Sequence, residues 1–254
     1  MLDIDLTGKI ALVTGGSRGI GGAITRTLCK TGAFVYFTHT GNADYSEAID
    51  GLLADVNGMA KAAVIDATDS SETSSLINKI ISDKARLDIL VPNVGRNLQR
   101  PAEMVSDDEW NENLDINLSS VFYAVRAALP HMLAAGYGRI ILIGSSAAYD
   151  GGGGSIEYST SKAGLNGMML YLVKNYARKG IITNAVHPCV VETDLLKERY
   201  PTDADKAKLI SQIPVGRLGR PDDVAGMVAY LASPWGDYIC GQSILMDGGR
   251  TLGK

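Results

Sequence analysis

The chain has 254 residues, 46% of them hydrophobic, and a formal net charge of −4. That length suits a single α/β domain, residues 1–254, with a core on both faces of a sheet. Its mild acidity and scattered basic residues exclude the basic blocks with which proteins hold nucleic acid or a membrane surface. Apolar stretches such as 140–143 and 225–232 are far too short to cross a bilayer. The opening MLDIDLTGK carries acid where an export signal needs base. Cys29, Cys189 and Cys240 have no metal-binding spacing, so a reducing compartment, the cytoplasm, is expected. Three histidines without paired spacing predict no metal site.

Along the chain, short apolar runs at 10–14, 34–38, 62–65, 89–91, 140–143, 182–186 and 243–246 predict strands. Helical patterns fill the intervals at about 19–31, 43–56, 71–84, 107–134, 157–178, 195–212 and 221–232. Such alternation predicts a parallel sheet with right-handed crossovers. The near-continuous hydrophobicity of the strands predicts helices on both faces. No repeat or low-complexity linker marks a domain boundary. In the helix at 157–178, Leu165, Met169, Leu172 and Tyr176 make one stripe, while Gly167, Met168, Leu170, Tyr171 and Lys174 lie off it. A helix apolar on more than one face is buried on more than one side, in a thick core or, as preferred here, at a subunit interface.

Between the first strand and the first helix lies T-G-G-S-R-G-I-G, Thr14 to Gly21. Gly15 reaches backbone angles barred to residues with a Cβ. Gly19 lets the backbone approach a phosphate, and Gly21 lets helix and strand pack. Ser17, Arg18 and Ile20 complete a turn whose helix offers free N–H groups to an anion. A glycine-rich turn alone also serves merely to join strand to helix; its place after the first strand of an alternating chain makes it a dinucleotide site. An acid ending the second strand would bind a ribose 2′-hydroxyl and repel a 2′-phosphate. Here that strand ends in Phe37-Thr38-His39-Thr40, without one. The Arg18 guanidinium can pair with a 2′-phosphate, and Thr38, His39 and Thr40 can add hydrogen bonds. NADP(H) is therefore expected over NAD(H), against the plainer reading of Arg18 as a solvated turn residue.

Of eleven tyrosines, Tyr158 alone is followed by lysine at the fourth position, Lys162. On a helix the two share a face. A free phenol titrates near ~10, and a neighbouring ammonium would lower that value toward neutrality. Tyr-x-x-x-Lys by itself is common on surfaces, so the surroundings matter. Ser145 follows the strand at 140–143 and is placed at its carboxyl end to polarise a carbonyl, with Ser146 the competing candidate. Asn117 is a polar residue within an amphipathic helix. Its amide must find partners, either as a structural kink or as the holder of a proton-relay water toward Lys162.

With these residues assembled, the chain resembles the short-chain dehydrogenase/reductase family in its single-domain form, over essentially its whole length. The resemblance rests on T-G-G-S-R-G-I-G, Asp66 in V-I-D-A-T-D, Asn93-Val94-Gly95, the Asn117 region, Ser145, Tyr158, Lys162, Thr193 and the ending I-C-G-Q-S-I-L-M-D-G-G. It implies a doubly wound Rossmann-type fold with a seven-stranded parallel sheet, and a homotetramer. It also implies roles. Tyr158 would be the acid/base and Ser145 would polarise the carbonyl. Lys162 would hold the nicotinamide ribose, and Asn117 would support proton relay. Asp66, with Ala67 beside it, would meet the adenine, and Asn93 and Gly95 the adenosine side. Pro188, Val191 and Thr193 would line the nicotinamide end. Two departures stand out. Pro92 and Val94 replace the family's Asn-Ala in Asn-Asn-Ala-Gly, removing a backbone donor. Cys189 replaces the glycine after Pro188, restricting the backbone there; its thiol is either exposed near the cofactor or simply packed.

The pattern is closest to 3-oxoacyl-carrier-protein reductases, in S-S-V-F and P-V-G-R-L-G-R-P-D-D-V-A. A carrier protein is acidic and needs a basic entrance. Near the entrance only His131 and Arg139 precede the fifth strand, with Lys179 elsewhere, so a free small carbonyl compound is preferred. The glycines at 151–154 would leave room beside the substrate or let a loop move. Arg96, Gln99 and Arg100 are candidates for a carboxylate, phosphate or sulfonate, and 192–212 for a lid. The leading expectation is an NADPH-dependent carbonyl reductase. Its alternatives are an NAD(P)-dependent dehydrogenase of a sugar, polyol or other secondary alcohol, and a non-catalytic dinucleotide-binding sensor or scaffold.

Overall fold

The computed structural model describes residues 3–252. Seven strands form one parallel sheet: β1 (Ile10–Val13), β2 (Phe34–His39), β3 (Ala60–Val64), β4 (Ile89–Val91), β5 (Gly138–Ile143), β6 (Ile181–Pro188) and β7 (Ser243–Met246). Their spatial order is β3-β2-β1-β4-β5-β6-β7. The order reverses between β1 and β4, the switch point of a doubly wound Rossmann-type sheet, and a crevice opens there beyond the strand ends.

Period-two alternation divides each central strand between two cores. Ala11 and Val13 of β1 join Val35, Phe37, Ile89, Ile141 and Ile143 on one face. That face is covered by α1 (Gly19–Lys30), α2 (Ser46–Asp55) and α10 (Pro221–Ala232). Leu12, Tyr36, Leu90, Ile140 and Leu142 point the other way. They pack against α3 (Ser70–Lys84), α5 (Ser120–Ala135) and α7 (Ile156–Tyr176). All four residues of β1 are buried, which is why the strands read as unbroken apolar runs.

Three expected helices are subdivided. The pattern at 107–134 resolves into α4 (Asp107–Leu114), a π turn at Asp115–Ser119, and α5. The pattern at 43–56 begins with a 3₁₀ turn, Ala43–Tyr45, before α2. The helix expected at 195–212 breaks into α8 (Asp194–Arg199) and α9 (Asp203–Ile210). Tyr200 at the break is extended, with φ −129° and ψ 74°, because Pro201 bars its predecessor from the helical region. A short α6 (Ala147–Asp150) follows β5 and has no counterpart in the sequence reading.

Along α7, Leu165, Met169 and Leu172 are buried and Tyr176 packs against the same core, as the stripe predicts. Off the stripe, Leu170 and Tyr171 are 58% and 61% exposed. Among the described residues no helix is long and apolar enough to cross a membrane.

Candidate active site

The turn after β1 is stitched to its neighbours. Thr38 receives the Gly15 N–H on its hydroxyl at 3.0 Å and the Gly16 N–H on its carbonyl at 3.0 Å. Asn93 donates its amide to the carbonyls of Thr14 and Gly15, at 3.2 and 2.9 Å. A Cβ on Gly21 would stand 2.1 Å from the Gly15 oxygen, so only glycine lets helix and turn come this close. Gly15 and Gly19 have φ of +61° and +53°, where a side chain is strained. Arg18 caps α1 without any side-chain cap bond. The first N–H groups of α1 therefore face a cavity of about 1010 Å³ that runs over the turn. Such a cradle, with a free helix N-terminus, fits the pyrophosphate of a dinucleotide.

At one end of this cavity lie Arg18, Thr38, His39 and Thr40, with Asp66 and Ala67 further along its wall. The Arg18 guanidinium stacks on the Tyr45 ring, 4.0 Å from its centroid, and donates to the Tyr45 hydroxyl at 3.0 Å. Thr38 is buried with its hydroxyl committed to Gly15, so it pins the turn. His39 accepts the Gly41 N–H on Nδ1, and Asp66 receives the N–H and hydroxyl of Thr68 on one oxygen. Ser17, Ile20, Asn93, Gly95 and Thr193 line the middle, and Tyr158 and Lys162 the far end. Pro188 and Val191 border the adjoining cavity instead. The departure at Pro92 leaves no gap: its carbonyl accepts the Ile143 N–H at 3.1 Å, while Asn93 donates its own N–H to Thr14 Oγ1. Cys189 is not among the positive-φ residues, so the missing glycine was not needed.

At the far end Ser145 and Tyr158 line one cavity together. The Ser145 hydroxyl accepts the Ala147 N–H at 3.2 Å, and its neighbour Ser146 is buried. Lys162 is buried one turn along, its Nζ 5.8 Å from the Tyr158 ring centroid. Its ammonium donates to the Ile143 carbonyl at 3.3 Å. Burial lowers the Lys162 pKa from 10.5 to about 8.

The expectation that Lys162 would lower the Tyr158 pKa is not met. Burial raises it, and the opposing influences come from the Ser145 hydroxyl and the charge of Arg199. Desolvation of the phenolate outweighs both.

Asn117 sits in the π turn and is wholly buried. Its Nδ2 donates to the Arg96 and Asn113 carbonyls and to Asn113 Oδ1, and its Oδ1 accepts the Arg96 N–H. The amide thus clamps the chain after β4 onto the helix, the structural half of the sequence reading. A Cβ on Gly95 would lie 3.0 Å from Asn117 Oδ1 and 3.2 Å from Lys162 Nζ, so these three groups converge.

Sequence reasoning missed His187, which fixes Ser145 from behind. Its Nδ1 lies 3.2 Å from the Ser145 nitrogen and 3.1 Å from its carbonyl, and Nε2 is 3.0 Å from Asn166 Oδ1. Burial lowers its pKa, keeping the ring neutral. A Cβ on Gly144 would come within 2.3 Å of Nδ1. A buried strand histidine carries no sequence signal of this kind.

A second cavity, of about 290 Å³, opens on Ser145 and Tyr158 and is walled by Gln99, Gly153, Gly154, Cys189, Arg199 and Arg250 among others. The glycine loop is no slack connector. Its carbonyls at Gly153 and Gly154 accept from Asn97 Nδ2 and the Arg100 N–H. A Cβ on Gly153 would press on Tyr158 at 2.8 Å, and one on Gly154 on Gln99 at 2.8 Å. Of the expected anion binders, Arg96 is paired with Glu112 and Arg100 with Glu109; both are neutralised outside this cavity. Among the described residues no cluster of His, Cys, Asp or Glu is gathered to hold a metal ion.

A parallel sheet with a glycine cradle at its switch point and a Ser–Tyr–Lys group beside it defines a dinucleotide-dependent oxidoreductase. A family model described as enoyl-(acyl carrier protein) reductase matches residues 15–251. The 3-oxoacyl-acyl-carrier-protein reductase FabG of Escherichia coli (strain K12) is 39% identical over 249 residues, 98% of this chain and 100% of that one. A putative NAD(P)-dependent gluconate 5-dehydrogenase of Beutenbergia cavernae, solved with bound NADP, is 33% identical with a TM-score of 0.91, covering 99% of this chain and 100% of that one. A gluconate 5-dehydrogenase of Burkholderia cenocepacia J2315, in complex with NADP and tartrate, is 29% identical with a TM-score of 0.90 and covers 98% of each chain. The chain belongs to the short-chain dehydrogenase/reductase family, as its motifs had suggested, and is an oxidoreductase acting on CH–OH/C=O groups.

The buried Lys162 ammonium has a stability cost. Its folded-state pKa, about 8, lies below the ordinary 10.5. The folded protein therefore bears the full penalty of the buried charge below pH 8, and the penalty fades as pH rises toward 10.5. Lys162→Met should raise the unfolding free energy by about 1 kcal/mol or more at pH 7, with the gain gone above pH 10.5. Urea unfolding at the two pH values measures this.

Proposed function

We propose that the protein is an NADPH-dependent reductase that converts a small-molecule carbonyl to a secondary alcohol. The observation that carries this reading is that Ser145 and Tyr158 line one cavity together where it meets the glycine-turn cavity, which Tyr158 and Lys162 also line. A carbonyl oxygen seated there meets two hydroxyls, one of which can hand over a proton. The bound nicotinamide supplies the hydride to the carbonyl carbon. Tyr158 gives its proton to the oxygen, so the alkoxide never forms free. The raised Tyr158 pKa keeps that proton in place at neutral pH. Ser145, held by His187, fixes the carbonyl oxygen. Lys162 lies beneath the phenol, suited to hold the nicotinamide ribose and return a proton to it.

Arg18 supports NADP(H) over NAD(H). Its guanidinium is braced on Tyr45, with no carboxylate partner among the described residues, and no acid ends β2. A fixed, uncompensated cation at the ribose end suits a 2′-phosphate. The NADP of the Beutenbergia and Burkholderia structures agrees with this. Three free cysteines fit the cytoplasm.

The chain is read as a homotetramer. Phe122 of α5 and Leu170 and Tyr171 of α7 expose large apolar side chains, 44%, 58% and 61%, that a second copy would cover.

Tyr158→Phe should lower carbonyl-dependent NADPH oxidation by about 10³-fold or more, while NADPH still quenches the variant's tryptophan fluorescence on binding. Surviving turnover would remove Tyr158 as the acid. In a fluorescence titration NADPH should bind at least about tenfold more tightly than NADH, and Arg18→Ala should erase most of that difference. A preference for NADH would sink the cofactor assignment. Light scattering should give the mass of four chains, and Leu170→Glu with Tyr171→Glu should yield smaller species; a monomeric wild type would end the tetramer reading.

A further inference from the structure

The second cavity has a charge balance that the chain as a whole does not. The protein is acidic, with 28 Asp and Glu against 24 Lys and Arg, yet among the described residues no carboxylate lines this cavity, while two arginines do, Arg199 and Arg250. Six guanidiniums elsewhere in the fold are neutralised locally: Arg26 by Asp55, Arg86 by Asp88, Arg96 by Glu112, Arg100 by Glu109, Arg139 by Asp237, and Arg217 by Asp223. Arg199 and Arg250 form no ion pair among the described residues.

Both are instead held by neutral groups, which fixes them without discharging them. Arg199 Nη2 donates to the Asn97 carbonyl at 3.0 Å. Arg250 donates from Nη1 to Cys189 Sγ at 3.4 Å and from Nη2 to Gln212 Oε1 at 2.9 Å. A guanidinium carries five N–H donors, so each keeps several for a ligand. A partly buried cation without a counter-charge is costly. The arrangement is stable in use when a ligand brings the anion. Arg199 and Tyr158 line the same cavity, so an anion held by Arg199 shares that cavity with the reacting oxygen. At about 290 Å³ the cavity suits a compact molecule.

We infer that the substrate is a small oxo-carboxylic acid, or the hydroxy acid it forms, whose carboxylate is held by Arg199 and Arg250 while its carbonyl rests on Ser145 and Tyr158. This rests on the oxidoreductase reading and names its substrate class. It disfavours a neutral acyl thioester carried on a protein, which would leave both cations unmatched.

The test separates binding from turnover. Carboxylic acids of two to six carbons, tartrate and 4-oxopentanoate among them, are titrated calorimetrically into the protein saturated with NADP, each beside its methyl ester. At least one acid should bind about tenfold or more tightly than its ester. That ratio should fall to near unity in Arg199→Gln/Arg250→Gln and be partly kept in Arg199→Lys, where the charge remains. Because the ratio is taken within one variant, general damage to the fold cancels. If no acid outbinds its ester, or the preference survives the double substitution, the anion site is refuted. So too if a neutral 3-oxoacyl pantetheine thioester is reduced faster than every oxo acid. Arginine-dependent acid binding with no NADPH oxidation by any carbonyl compound would keep the anion site and overturn the reductase reading. Carbonyl reduction without acid preference would do the reverse.

Discussion

The fold and the site both depend on one close approach, that of the turn after β1 to the loop after β4 at the reversal of strand order. The Asn93 amide bonds the Thr14 and Gly15 carbonyls, Thr38 bonds the Gly15 and Gly16 amides, and Gly21 lies where any Cβ would strike the Gly15 oxygen. These contacts span 78 or more residues of sequence on one side and 23 on the other. They hold three strand ends in register, aim the N-terminus of α1 into the cleft, and so fix where a phosphate can lie. Everything downstream is positioned relative to that fixed point.

From there the chemistry is set by desolvation and by what opposes it. Lys162 is buried, donating to the Ile143 carbonyl, and its proton is loosened; Tyr158 is half-buried and its proton is tightened. The two shifts run in opposite directions for one reason, since burial disfavours whichever form is charged. The buried ammonium costs the fold stability.

A second layer of polar residues keeps the first in place. His187 spans the Ser145 backbone and is itself held by Asn166, which Ser243 of β7 also bonds. Asn117 clamps residue 96 to the π turn, and Asn97 braces Arg199 with its carbonyl and the glycine loop with its amide. Gly153 has no side chain because the Tyr158 ring occupies that space. Segments that read as loose connections in the sequence are therefore tightly bonded walls.

The sequence by itself determined the alternation of strands and helices, the glycine turn, and the Tyr158–Lys162 pair. These are local: period-two and period-3.6 patterns, turn chemistry and a four-residue spacing are written in neighbouring residues. Even the break at Pro201 was legible in principle, since the restriction acts on the adjacent residue. Tertiary structure alone decided which arginines are free. Arg96 and Arg100 looked like anion binders until the fold brought Glu112 and Glu109 to them, while Arg199 and Arg250, 51 residues apart in the chain, were gathered into one cavity with no acid among its described residues. Charge balance, like the sign of the Tyr158 shift, depends on what is near in space and on how much water is excluded, and neither is carried by local sequence.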